Sequence, residues 1–161
     1  MIVVSDATCL NHLIRSGAVE VLPQLFGSVV IPTAVFNELQ SVNTPEIVKR
    51  FIAGDPAWLG VRQPSLKADL QMENLDPGEC EAILLAEEIG ADFLLIDEKR
   101  GRRVAVKRNL PVTGTMAVLL RAALAGLIEY RLAVQRLKSS GFYLSYSLEQ
   151  QFEALYETMS R

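Results

Sequence analysis

The most constraining feature of this sequence is a pair of short apolar runs, each ending in an aspartate and each followed by a helical pattern. The run Ile2–Ser5 leads into Asp6, and the run Phe93–Ile96 leads into Asp97. Such runs are typical of strands buried on both faces of a parallel sheet. The carboxyl ends of parallel strands meet at one edge, where ligands bind. We therefore expect Asp6 and Asp97 to face a common site.

The remaining pattern alternates between short strands and helices. Further strands are predicted at 29–31, 58–61 and 111–113. Helices are predicted at 7–16, 19–26, 33–39, 44–53, 76–88, 99–108 and 115–125, with Thr33, Thr44 and Asp76 at helix starts. The pattern of strands and helices is weak only in segment 55–74. This alternation predicts an α/β fold of three layers, α/β/α, with a central parallel sheet.

The length of 161 residues and the hydrophobic content of 50% predict one domain spanning 1–161. Segment 129–161 is interpreted as a C-terminal extension of two helices separated by Gly141. The second carries Leu148, Phe152, Leu155 and Tyr156 on one face. This apolar face predicts packing on the domain or on the partner of a homodimer.

Several functional classes are disfavoured by composition. No apolar run reaches the roughly 18 residues of a membrane span, and the N-terminus lacks the basic lead of a secretory signal, so we expect a cytoplasmic protein with no membrane partner. Two cysteines, Cys9 and Cys80, predict neither a disulfide framework nor a four-ligand zinc site. With His12 as the single histidine, histidine catalysis has little support.

Four acids are candidates for chemistry: Asp6, Glu38, Glu79 and Asp97. Each also has a plain structural interpretation. An aspartate after a strand often caps a helix, a glutamate in a first turn favours the helix dipole, and Glu38 alone is most simply a surface residue. Polar residues at strand ends are candidate supports for these acids, through hydrogen bonds or as helix caps: Ser5, Thr8, Asn11 and Thr115.

The order and surroundings of these acids resemble the PIN-domain family, particularly its small prokaryotic branch of predicted nucleic-acid-binding proteins. The resemblance spans nearly the whole chain. The segments that carry it are Val3–Thr8, Ile31–Leu39, Leu75–Ile83, Leu94–Arg102 and Val112–Thr115. Two departures are that the third acid is glutamate where the common toxin pattern has aspartate, and that Glu98 lies directly beside the fourth.

The resemblance implies a ribonuclease in which Asp6, Glu38, Glu79 and Asp97 hold Mg²⁺ or Mn²⁺. It also implies RNA as substrate and, for many members, a toxin role with an antitoxin protein as partner. The chemistry is consistent with the residue types, because both ions prefer hard oxygen ligands and make bound water a better nucleophile.

Glu81 is the alternative third acid. Residues two apart on a helix differ by about 200° in direction, so Glu79 and Glu81 cannot both face one ion. Glu79 lies beside the stripe formed by Ala82 and Ile83, and its spacing to Asp97 suits a helix, a glycine turn and a strand. We therefore predict that Glu79 is the ligand and that Glu81 faces solvent.

The positive charge is concentrated in one segment although the net charge is −3. Segment 99–108 contains no acid and holds Lys99, Arg100, Arg102, Arg103, Lys107 and Arg108. A solvated helix face is the plain interpretation. Because the segment begins two residues after Asp97, however, we predict that Lys99, Arg102 and Arg103 bind substrate phosphates, with Arg102 foremost.

Two other functions remain open. A PIN-like module could bind RNA or protein without cleaving, and loss of activity in a chelator would separate this from a nuclease. A small phosphohydrolase is less consistent, because its second aspartate is missing at position 8, which is threonine.

Overall fold

A five-stranded sheet lies at the centre of the fold, with all neighbouring strands parallel and in the order β3-β2-β1-β4-β5. The structure is a computed structural model that describes residues 1–161. The strands are β1 Val3–Ser5, β2 Val29–Pro32, β3 Leu59–Arg62, β4 Phe93–Leu95 and β5 Val112–Thr113. The parallel sheet predicted from the sequence is confirmed.

Nine α-helices surround the sheet. They are α1 Ala7–Arg15, α2 Val21–Phe26, α3 Thr33–Glu38, α4 Glu46–Ala53, α5 Pro77–Ile89, α6 Lys99–Lys107, α7 Thr115–Leu124, α8 Tyr130–Ser139 and α9 Tyr146–Met159. Adjacent strand residues point to opposite faces, so Val3 packs into a core with α1, α2 and α7, and Val4 into a second core with α5. The three-layer α/β/α architecture is thereby confirmed.

The strand order places a crevice beside β1. The chain passes from β1 outward through β2 and β3, then returns to the other side of β1 for β4 and β5. In open α/β sheets such a reversal leaves a crevice at the carboxyl ends of the strands. Asp6 and Asp97 follow these two neighbouring strands, β1 and β4, and therefore lie at the same edge, as expected.

The two C-terminal helices pack on the α1 and α7 side of the sheet. Helix α8 buries Tyr130, Val134 and Leu137 in the same core as α1. Helix α9 has no fully buried residue, and its Tyr156 ring stacks on Tyr130 with centroids 4.5 Å apart. None of the helices combines the length and the apolar character needed to cross a bilayer.

Two helix caps differ from the sequence prediction. Thr33 was expected to cap α3, but it is the first helical residue and no side chain of the preceding residue caps the helix. Thr44 does not cap α4 either, because its hydroxyl donates to the Glu38 carbonyl at 2.8 Å. Asp76 does cap α5, accepting from Glu79 N at 2.8 Å.

The segment between β3 and α5 is held by Arg108, from the positively charged segment 99–108. It contains a short 3-10 helix at Leu70–Met72. The Arg108 guanidinium donates to Asp69 at 2.7 Å and binds both carboxylate oxygens of Glu87, at 2.5 and 2.8 Å. Arg108 therefore has a structural role and is not free to bind phosphate.

Candidate active site

Asp6 is the most deeply buried acid of the site. It is 1% exposed and caps α1, with Oδ1 accepting from Cys9 N at 2.9 Å. Its Oδ2 is buried and has no hydrogen-bonding partner in the protein. Burial raises the pKa of Asp6 well above its ordinary value, and the charges of Asp97, Glu79 and Asp76 raise it further. A cation at Oδ2 would relieve both effects.

Asp97 is held by the first residue of α7. Thr115 N donates to its Oδ1 at 2.9 Å, and Thr115 Oγ1 donates to its Oδ2 at 2.5 Å. A helix N-terminus favours an anion at this position. Asp97 thus follows β4 but takes its orientation from a residue eighteen positions later.

Glu79 lies half-buried in the first turn of α5, as the sequence predicted. Burial, followed by repulsion from Asp76 and Glu98, raises its pKa from 4.5 to about 7. A carboxyl with this pKa is partly protonated at neutral pH, so a bound cation would compete with a proton for it.

Glu38 is the last residue of α3 and reaches towards the start of α5. A methyl group on Gly78 would lie 2.9 Å from Glu38 Oε2, so the glycine permits this approach. Glu38 is exposed, and partial desolvation, followed by the charge of Asp76, raises its pKa. Glu38 and Glu79 thus reach the same region from two adjacent helices.

Glu81 does not face solvent, so that prediction is wrong. The residue is half-buried, and its Oε2 accepts from Ala34 N at 2.8 Å while its Oε1 accepts from Gln63 Nε2 at 3.0 Å. Its carboxylate supplies the N-terminal cap that α3 lacks from its own sequence. Both oxygens of Glu81 are thus occupied by structural partners.

Asp76 is an additional acid near the site, for which the sequence predicted only a helix cap. It is exposed and contributes to the raised pKa of Asp6, Glu38 and Glu79. Glu98 is also exposed and raises the pKa of Glu79. In the sequence, Asp76 could be recognised by its cap position before Pro77, and Glu98 by its position directly after Asp97.

The acids form a loose group rather than a closed cage. No three or more His, Cys, Asp or Glu side chains stand close enough to hold a metal ion as the side chains lie. The donor set is nevertheless suited to a hard divalent cation, because it consists of carboxylate oxygens and includes the unpartnered Oδ2 of Asp6. A bound cation would draw these side chains together by offsetting their mutual repulsion.

The supporting residues divide into those that touch an acid and those that do not. Thr115 binds Asp97, and its hydroxyl lies 3.2 Å from Cys9 Sγ. Ser5 Oγ donates to the backbone carbonyl of Asp6 at 2.9 Å, which stabilises the strand end rather than a carboxylate. Thr8 and Asn11 line a neighbouring cleft on α1.

Cys9 had no predicted role. Its thiol is fully buried, and burial, followed by the charges of Asp97 and Asp6, raises its pKa well above the ordinary value. The protonated thiol can donate to Thr115 Oγ1 while that hydroxyl donates to Asp97. Cys9 therefore supports the Asp97 carboxylate indirectly, through the Thr115 hydroxyl, and is itself not exposed to substrate.

Four cations lie along α6, the helix that follows Asp97. Lys99, Arg102, Arg103 and Lys107, with Val106 and Val112, line a cleft of about 390 Å³ between α6 and β5, which we call the cationic cleft. Arg102 Nη1 donates to the carbonyl of Ile96 at 2.9 Å, directly before Asp97. The predicted phosphate-binding residues Lys99, Arg102 and Arg103 thus share one cleft beside the acids.

Comparison with known proteins agrees with this architecture. A PIN domain family model matches residues 2–157. The chain is similar in structure to a PilT N-terminus domain protein from the hyperthermophilic archaeon Sulfolobus solfataricus P2, with a TM-score of 0.56 and 20% identity over 80% of this chain and 95% of that one. A comparison with curated proteins found no match. Because the family model covers nearly the entire chain, the protein belongs to the PIN-domain family.

Proposed function

We propose that this protein is a metal-dependent endoribonuclease that hydrolyses phosphodiester bonds in RNA. The observation that carries the proposal is the buried carboxylate of Asp6, whose Oδ2 has no protein partner and which is repelled by Asp97 and Glu79. Burying a charged carboxylate without a partner is costly unless a cation or a proton compensates it. Family membership supports the same conclusion, since PIN domains are commonly metal-dependent nucleases.

The residues have distinct roles in this proposal. Asp6, Glu79 and Asp97 would hold Mg²⁺ or Mn²⁺, and Glu38 would complete the carboxylate set from α3. When bound, such an ion makes water a competent nucleophile and stabilises charge on the phosphate. Thr115 keeps the Asp97 carboxylate oriented from the start of α7.

The cationic cleft is evidence in favour of a polyanionic substrate. Acids repel phosphate, so a nuclease site needs positive charge beside its carboxylates. Lys99, Arg103 and Lys107 supply that charge from α6, the helix that begins two residues after Asp97. Contacts of this kind hold the phosphates of a nucleic acid strand independently of its sequence.

The test is cleavage of single-stranded and structured RNA by the purified protein with Mn²⁺ or Mg²⁺. EDTA should abolish cleavage, as should Asp6→Asn and Asp97→Asn. Asparagine can still cap α1, so Asp6→Asn should remain folded. Asp55→Asn is a matched control, because Asp55 lies outside the site with φ of 49° and asparagine tolerates that conformation.

Cleavage that persists in EDTA or in Asp97→Asn would refute the metal mechanism. RNA binding without cleavage under any metal condition would favour the alternative, a PIN-like module that binds RNA or protein without cutting. The toxin role, an antitoxin partner, a homodimer and a cytoplasmic location remain predictions from the sequence.

A further inference from the structure

A second cleft includes one of the four acids in its wall. It has a volume of about 310 Å³ and lies between α1 and the loop that follows α3, so we call it the α1–α3 cleft. Glu38 of the candidate active site is part of its wall. The other polar lining residues are Thr8, Asn11, His12, Arg15, Ser41, Asn43 and Thr44. Its size is at the lower end of the range for small-ligand pockets.

The loop wall of this cleft is held in place by hydrogen bonds. Thr44 Oγ1 donates to the carbonyl of Glu38 at 2.8 Å, and Ser41 Oγ lies 3.0 Å from Thr44 Oγ1. Because Thr44 donates to the carbonyl, Ser41 donates to Thr44. These bonds fix the loop to the end of α3, so this wall of the cleft keeps a fixed position relative to the backbone of Glu38.

The α1 wall has polar groups that the protein itself does not satisfy. Asn11 Oδ1 and His12 Nδ1 have no hydrogen-bonding partner in the protein. The His12 ring rests edge-on against Phe142, with centroids 4.9 Å apart. Burial lowers the pKa of His12, which favours the neutral ring with one donor and one acceptor. Both atoms are buried rather than open to the cleft, and an unpartnered buried polar group costs about 1–3 kcal/mol unless a water molecule or a ligand group reaches it.

The charge of the lining indicates the class of ligand. The cleft contains one cation, Arg15, and one anion, Glu38, and its remaining polar groups are neutral amides, hydroxyls and an imidazole. A phosphate subsite would be cationic, as the neighbouring cationic cleft is. Neutral donors and acceptors in a small cleft are instead suited to the edge of a nucleobase, which presents both kinds of group.

We propose that the α1–α3 cleft holds the unpaired base of a nucleotide flanking the scissile phosphate and thereby determines the sequence preference of cleavage. Sequence-specific recognition of RNA mostly uses unstacked single-stranded bases whose edges are hydrogen-bonded by side chains. The principal reading residues are Asn43, whose amide offers two donors and a carbonyl acceptor, and Asn11, whose Oδ1 is buried so that only its Nδ2 donor is available. This inference rests on the proposed ribonuclease function.

The test maps cleavage sites in a pool of random single-stranded RNA in Mn²⁺. The wild-type protein should favour one base at a fixed position beside the cut. Asn11→Ala and Asn43→Ala should each reduce that discrimination by about 2- to 10-fold, the effect of losing one hydrogen bond. Arg103→Ala in the cationic cleft is the matched control, and it should slow cleavage of all sequences without changing the preferred base.

Cleavage without any base preference, or a preference unchanged in both asparagine variants, would overturn the proposal and leave the ribonuclease function intact. If the wild-type protein does not cut RNA, the ribonuclease function fails separately. Binding of four homopolymeric oligonucleotides, measured by fluorescence anisotropy, then tests the cleft alone. Equal affinities for all four, or a ranking unaffected by Asn11→Ala and Asn43→Ala, would reject it.

Discussion

Thr115 donates hydrogen bonds to both carboxylate oxygens of Asp97, from its backbone N–H at 2.9 Å and from its hydroxyl at 2.5 Å. The two bonds come from the first residue of α7, which follows β5, whereas Asp97 follows β4. Thr115 is completely buried, so neither donor is accessible to water. The orientation of this acid is therefore set by the packing of α7 against the sheet.

We predict that Thr115→Val lowers the affinity for Mn²⁺ about 10- to 100-fold, the range for losing a hydrogen bond to a metal-ligating group. Valine keeps the backbone bond and the shape but loses the hydroxyl. Thr115→Ser keeps the hydroxyl and should retain most of the affinity. Calorimetric titration with Mn²⁺ measures both, and equal affinities for the two variants would contradict the role of the hydroxyl.

Gly114 is predicted to be required for the position of Asp97. A methyl group there would lie 2.7 Å from Asp97 Oδ1 and 3.0 Å from Arg102 Nη1. Gly114→Ala should therefore displace the carboxylate and reduce RNA cleavage at least tenfold. Gly60→Ala is the control, since a methyl group there meets its nearest atom only at 4.0 Å. Comparable rates for the two variants at equal thermal stability would show that Asp97 adapts freely.

The pKa of Glu79, raised from 4.5 to about 7, predicts a pH-dependent affinity for metal. Cation binding requires the ionised carboxylate, so affinity for Mn²⁺ should rise between pH 6 and pH 8 as the proton is lost. In the metal-free protein the sign for stability is opposite. A raised carboxyl pKa contributes stability fully below about pH 4.5, and this is lost as pH rises through about 7.

Titration with Mn²⁺ across this pH range, together with thermal unfolding of the metal-free protein, checks both signs. Glu79→Gln should abolish cleavage and remove most of the pH dependence. Glu81→Gln should retain cleavage and the pH dependence, because glutamine can still accept from Ala34 N, and should cost a modest amount of stability. A pH dependence that survives Glu79→Gln but disappears in Glu81→Gln would exchange the roles of the two acids.

The cationic cleft predicts how RNA affinity depends on salt. Replacing Lys99, Arg103 and Lys107 by alanine should weaken binding and reduce the slope of log affinity against log salt by about 2, at about 0.7 per phosphate contact. Arg102 is left intact because it also binds the Ile96 carbonyl. A triple alanine variant at the exposed residues Arg50, Arg136 and Arg161 is matched in charge and should change the slope little. If the variant at Lys99, Arg103 and Lys107 has the same slope as the wild-type protein, the cationic cleft is only a solvated helix face.

Much of the fold could be predicted from the sequence because its signals are local. The buried runs before Asp6 and Asp97, the alternation of strands and helices, and the cap of α5 at Asp76 each depend on a few neighbouring residues. The position of Glu79 in the first turn of α5 followed from the same local signals. Regular periodicity and capping chemistry are sufficient for such features.

Only the tertiary structure decided which polar groups meet. Glu81 was expected in solvent but caps a helix whose first turn lies 47 residues earlier, and Arg108 belongs to a clamp with Asp69 and Glu87 rather than to the phosphate-binding cations. Thr115 became the support of Asp97 rather than one of several candidates. A hydrogen bond between residues far apart in the sequence depends on how the helices pack on the sheet. The periodic pattern of a single helix or strand contains no information about which other elements it packs against.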